Sequence, residues 1–392
     1  MDLNNGITII GGGIGGLTVA NALQKAGFAF DLYEQAPELT EAGAGIGLSN
    51  AALDILDRID LGTDVRDQGV SIKNVYLADK QMNIRRKLAV RLDTVCIHRA
   101  LLIDILKSRL PAESIHLSKQ AVDVKSYPDY AEILFSDNTS IHSQCLIAAD
   151  GINSLIRTKL YPEIRIRYIN QTIWRGITKL EVPEMMQDSY VEIWDEGLRF
   201  LTVPYRPGEI FWLAVKTAPP GIQDNPETVR EELLDLFDNF HPVIKKMISG
   251  SQGYLRNDMA DLGTFRRPWS HNRIVFIGDS IHATTPNLGQ GGCQAIEDAQ
   301  CLALCLKSFF PDVEKSFSTY YRLRREKVMS IVKTSWQFGR AAHSRNPVKH
   351  YSYRALLEYA PAVLLEKQES KLNDLTYLEE IHENELAYTT TK

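Results

Sequence analysis

The glycines of Gly11-Gly12-Gly13-Ile14-Gly15-Gly16 satisfy the spacing G-x-G-x-x-G, and their setting gives that string chemical meaning. They follow Ile7-Thr8-Ile9-Ile10, a short apolar run, and precede Leu17, Ala20 and Leu23 at helical spacing. In such a strand, turn and helix, Gly11 permits the tight turn, Gly13 lets backbone approach a pyrophosphate, and Gly16 lets helix pack on strand. The helix N-terminus then receives the phosphate charge. Gly27 reads as a helix stop and Phe28 to Tyr33 as a second strand, ending in Glu34, whose carboxylate can accept hydrogen bonds from a ribose diol. The unit binds a dinucleotide.

Two further segments sharpen this reading. Cys145 to Ala149 is a buried-strand pattern ending in Asp150-Gly151, with Ser154 and Arg157 beyond it. Arg273 to Ile277 is another, ending in Gly278-Asp279 and running through Thr284-Thr285-Pro286-Asn287 to Gly289-Gln290-Gly291-Gly292-Cys293. The last five residues feed a helix that carries Ala295, Ile296, Ala299 and Leu302, so several free N–H groups and a positive dipole end gather there and favour an anion.

Positioning these motifs takes an α/β domain built from the strands already named, further strands near Val75 to Leu77 and Ala131 to Phe135, and an amphipathic helix from about Arg99 to Leu110. From about Arg165 the pattern turns to aromatic-rich strands, Thr172 to Leu180, Tyr190 to Trp194, Phe200 to Val203 and Ile210 to Val215, with one helix near Glu227 to Phe240. The expected organisation is a discontinuous nucleotide-binding domain over residues 1–165 and 269–345, a mainly β-sheet substrate domain over 166–268, and a helical extension over 346–392 that ends in the polar Thr389 to Lys392.

Composition excludes several classes. The chain has 392 residues, 44% of them apolar, and a net charge of −5, which offers no broad basic surface to nucleic acid. Five cysteines without paired spacing make neither a disulfide framework nor a zinc site, and Cys301 and Cys305 read as small buried side chains; no metal is expected. The first residues lack a basic signal-peptide region, and no run of about 18 apolar residues could span a bilayer. A cytoplasmic protein, monomer or homodimer, without stable membrane insertion, is the expectation. Ser154 lacks a Gly-x-Ser-x-Gly frame, so a hydrolase nucleophile has no support.

With three motifs in this order, the chain from residue 7 to about 361 resembles the single-component FAD-dependent aromatic hydroxylases, the group of p-hydroxybenzoate, salicylate and urate hydroxylases. The resemblance implies a Rossmann-like FAD-binding domain of the p-hydroxybenzoate hydroxylase type and noncovalent FAD. It also implies NADPH or NADH docking transiently, since no second G-x-G-x-x-G follows a strand, and O₂ as co-substrate for oxygenation through a C4a-hydroperoxyflavin. Carried onto this sequence, it places Gly11, Gly13, Gly15, Gly16, Glu34, Gln35, Gly47, Arg99, Val122, Asp150, Asp279, Gly289, Gln290, Gly291, Gly292 and Cys293 at FAD, with Pro286 and Asn287 near its reactive face. The anion site at Gly289 to Cys293 would then stabilise the reduced flavin, which is anionic at N1 and O2.

For the substrate, a small aromatic and anionic molecule, the resemblance points to Arg199 and Phe211, which stand where urate hydroxylases carry an arginine and a tyrosine; Asn287 replaces their aspartate and speaks against urate. Arg175 is a second candidate for an anionic group. Trp174, Trp194, Trp212 and Tyr205 either line an aromatic pocket or pack the sheet core, and His282 reads as a structural hydrogen-bonder rather than an acid or base. Flavin halogenases and prenyl reductases share the implied fold, but no Trp-x-Trp-x-Ile-Pro segment is present; an idle FAD-binding module is the remaining alternative.

Overall fold

The computed structural model describes residues 6–40, 45–206, 208–344 and 346–381, so the segment Thr389 to Lys392 lies outside the described residues. Ile7–Ile10 is fully buried and pairs in parallel with Phe30–Tyr33 on one side and Cys145–Ala148 on the other. Ile274–Phe276 and Ile115–His116 extend this sheet in parallel, and Ser270–His271 closes one edge antiparallel. Unbroken apolar runs suit such strands because helices cover them, here Ile14–Ala26 and Gly291–Phe309 packed against each other. Topology does the assembling: Ile7–Ile10, Cys145–Ala148 and Ile274–Phe276 are neighbours, so Gly11, Gly151 and Gly278 emerge side by side at their carboxyl ends.

A second sheet has seven strands in the order Leu255–Asp261, Arg167–Lys179, Glu209–Thr217, Leu198–Arg206, Ser189–Asp195, Asn74–Asp79 and Ile84–Ala89. The strand expected near Val75 therefore lies in this sheet, not with the first one: Asn74–Asp79 pairs in parallel with Ser189–Asp195. Its apolar run Val75 to Ala78 marks a strand, but nothing local names its partner. The helix expected near Glu227 to Phe240 is Val229–Leu236, and a second helix that sequence reading did not anticipate follows at Pro242–Ser249, where Pro242 starts it and His241 caps it.

Period-two alternation divides the second sheet into faces. Trp174, Val191, Ile193, Phe200, Trp212 and Ala214 pack against Phe237, Ile244 and Met247 of the two covering helices. Trp174 and Trp212 are thus core, their indole N–H groups donated to Asp224 and Ser251. The opposite face turns Arg175, Glu192, Leu201, Phe211 and Leu213 toward the first domain. The long helix Val313–Ala342 spans the back of the molecule, and Pro347–Tyr359 and Ala362–Leu372 continue it.

Candidate functional site

A cavity of about 580 Å³ lies between the carboxyl ends of the first sheet and the inner face of the second. Its first half is a glycine cradle. Gly11 has φ of +108°, and a Cβ there would stand 2.4 Å from the Ala149 carbonyl oxygen; a Cβ on Gly16 would stand 1.9 Å from that of Gly11. Gly13 and Gln290, which precede the helices Ile14–Ala26 and Gly291–Phe309, make no side-chain cap, and neither helix has an acidic residue in its first turn. Two positive helix ends therefore open on one cavity. Asp279 is exposed on its wall beside Thr284, Pro286 and Asn287. Together these features fit an elongated dianion with a hydrogen-bonding chain, as FAD is; Gly11 to Ile14 would take its pyrophosphate, Asp279 its ribityl hydroxyls, and Gly291 and Gly292 the anionic edge of its ring.

Glu34 follows the second strand, where its Oε2 accepts from Gly12 N at 2.6 Å and its Oε1 from Ala36 N at 2.9 Å. The carboxylate thus braces the glycine turn. Arg99, at the start of helix Arg99–Lys107, and Gly47 reach the cavity; a Cβ on Gly47 would stand 2.4 Å from Tyr190 Oη. Cys293 is buried with its Sγ 3.5 Å from the Gly47 carbonyl oxygen, which locks that segment to the helix start. Gly15, Gly289, Gln290, Gly291, Gly292 and Gly151 line the cavity; Asp150 stands beside it, its Oδ2 accepting from Ile156 N and its pKa raised by burial. Gln35 and Val122 are exposed and not on the wall.

The chain matches the family model described as FAD binding domain over residues 5–335. It belongs to the FAD-dependent aromatic monooxygenases. It is 33% identical over 356 residues to aurachin C monooxygenase/isomerase of Stigmatella aurantiaca, covering 88% of this chain and 92% of that protein. It is 30% identical over 376 residues to 2-heptyl-3-hydroxy-4(1H)-quinolone synthase of Pseudomonas aeruginosa, covering 91% and 94%. Among solved structures, Klebsiella pneumoniae HpxO complexed with FAD and uric acid superposes with a TM-score of 0.86 at 23% identity, over 94% of this chain and 97% of that one. The cofactor of this monooxygenase is FAD.

The second half of the cavity is the sheet wall. Val75, Leu201, Val203, Phe211 and Leu213 make it apolar; Tyr190, Glu192 and Arg175 are its polar positions. Tyr190 Oη is 2.9 Å from Cys96 Sγ, and Arg175 bonds the Asn257 side chain. Burial and the charge of Arg99 push Arg175 down to about 10. Arg199, expected to grip substrate, is buried on the same sheet face as Leu201 but off the cavity lining, bonded to three side chains. Its Nε meets His343 Nε2 at 3.1 Å, its Nη1 meets Glu192 Oε1 at 3.2 Å, and its Nη2 meets Asn287 Oδ1 at 2.6 Å. Asn287 in turn donates its Nδ2 to Thr285 Oγ1 and the Ser335 carbonyl, at 3.1 and 3.3 Å. Trp194 packs edge-on against Phe338 and stacks with Tyr353 beyond that network.

Two functional groups escape sequence reasoning. Glu192 sits two residues after Tyr190 on one strand, a spacing that assigns it a face but not a partner. Behind the helix Gly291–Phe309 lies a buried charge cluster. Arg324 donates to Glu297 Oε2 at 2.5 Å and Asp298 Oδ1 at 2.8 Å; Lys327 and Tyr377 also reach Glu297. Asp298 bonds His282 and accepts from Gly278 N at 2.9 Å, so His282 faces this cluster and is not on the cavity wall. Among the described residues no cluster of three His, Cys, Asp or Glu could hold a metal, and no helix is long and apolar enough to cross a membrane.

Proposed function

We propose that this monooxygenase uses NADPH or NADH and O₂ to hydroxylate a flat, mostly apolar heteroaromatic ring that carries an N–H or O–H group, of the 4-quinolone type. The observation that carries this reading is the sheet wall facing the FAD cradle, five apolar side chains with Glu192 as the carboxylate among them. Arg199, the cation nearest that carboxylate, is matched by it, which favours an uncharged ring over a benzoate. The names of the two relatives, an aurachin C monooxygenase and a 3-hydroxyquinolone synthase, agree with that chemistry.

FAD supplies the redox chemistry, accepting hydride from the nicotinamide and activating O₂ for transfer of one oxygen atom. The chain's residues bind and orient. Asn287 has both ends of its amide fixed, so the Pro286 to Leu288 turn between cofactor cradle and wall is held in one geometry. Leu201, Phe211 and Leu213 hold the ring flat and exclude water. A second reading, a carboxylate-bearing ring, is favoured by Arg175 on the same wall. The test compares 2-heptyl-4(1H)-quinolone with 3-hydroxybenzoate as stimulators of NADPH and NADH oxidation by the yellow holoenzyme, with product mass spectrometry. Gain of one oxygen by the quinolone supports the first reading; turnover of the benzoate alone replaces it with the second.

A further inference from the structure

We propose that Glu192 determines substrate specificity by accepting a hydrogen bond from the ring N–H or O–H of the substrate. The inference rests on the reading of the cavity as an aromatic hydroxylation site and adds the residue that recognises the ring. On strand Ser189–Asp195, alternation sends Tyr190 and Glu192 to the cavity while Val191 and Ile193 enter the core. A carboxylate on a mostly apolar wall is costly to desolvate unless each oxygen is matched. Arg199, on the same face, matches Oε1, and Oε2 remains for a ligand.

Among the described residues, no other polar group nearby offers a free acceptor of this kind. Tyr190 Oη faces Cys96 Sγ, Arg175 can only donate and bonds Asn257, and the Asn287 amide is spent on Arg199, Thr285 and Ser335. A carboxylate accepts and cannot donate, so a ring with N–H or O–H completes it whereas a methylated ring leaves it buried and unpaired. Glu192 makes no covalent bond. Its negative charge also stabilises the positive charge that builds on the heteroatom as the ring gives electron density to oxygen.

The experiment measures ligand dissociation constants by perturbation of the bound FAD spectrum, in wild type, Glu192→Gln and Glu192→Leu. The ligands are two matched pairs: 2-heptyl-4(1H)-quinolone with its N-methyl analogue, and 3-hydroxybenzoate with 3-methoxybenzoate. Wild type should prefer the free donor by about 10- to 100-fold, the worth of a charge-assisted hydrogen bond. Glu192→Gln keeps an oxygen for Arg199 and turns an amide N–H₂ toward the ring, so donor meets donor and the preference should fall to about threefold or less with FAD content unchanged. Glu192→Leu should show the same collapse by losing affinity for the free donor alone. A preference that survives in Glu192→Gln overturns the proposal. If the quinolone pair shows that surviving preference, the ring class stands and Glu192 falls. If only the phenol pair binds, with a preference that Glu192→Gln abolishes, the ring class falls and Glu192 stands.

Discussion

Replacing Asp298 by Asn tests whether the buried charge cluster holds up the flavin loop. Burial alone would raise the Asp298 pKa; the His282 ring and the Arg324 guanidinium more than reverse that and leave it at about 2, against an ordinary 3.8. At about 1.4 kcal/mol per pKa unit, the ionised form contributes about 2 kcal/mol to folding at neutral pH. Because the folded value is depressed, that contribution is present above the unfolded value and is lost as pH falls through about 2. Asp298→Asn retains an oxygen for Gly278 N–H, so FAD content should stay full while the charge interaction disappears. Urea unfolding of the holoenzyme should show the variant about 2 kcal/mol less stable at pH 7, the gap shrinking to about half at pH 3. A gap near zero at pH 7, or one that widens in acid, would refute the reasoning.

Glu34→Ala should weaken FAD by about 10- to 100-fold in a fluorescence titration, since it removes the charged acceptor that braces Gly12 N–H in the glycine turn; an unchanged affinity would remove Glu34 from the site. Gly11→Ala should yield a protein that purifies with little FAD, because its Cβ would meet the Ala149 carbonyl at 2.4 Å in a left-handed backbone conformation; a yellow, stoichiometric variant would contradict the cradle geometry. Arg199→Met leaves Glu192, whose side chain is 24% exposed, without its cation and should lower unfolding free energy by about 1 to 3 kcal/mol. An arginine that merely awaits substrate would leave stability unchanged.

The cofactor half of this molecule is legible in its sequence because each motif is a local solution to a local problem. Gly11, Gly16 and Gly278 stand where backbone crowding or a positive φ forbids a side chain, and the strands before them are short apolar runs whose burial follows from composition. The substrate half resists the same treatment. Leu201, Phe211 and Leu213 share a face by simple alternation, yet which side of the sheet meets the cofactor depends on where Phe237 and Met247 pack, and that is a tertiary fact. Arg199 shows the cost of reading charge without partners. Its type suggests a hand extended to an anion, and only the fold reveals that Glu192, Asn287 and His343 already hold it. At this end of the wall the charge that reaches the cavity is therefore its partner, Glu192. A negative wall position held in place by a buried guanidinium selects ligands by their hydrogen-bond donors, and that selection follows from pairing across two strands, Glu192 against Leu201 and Trp194 against Arg199, rather than from any contiguous motif.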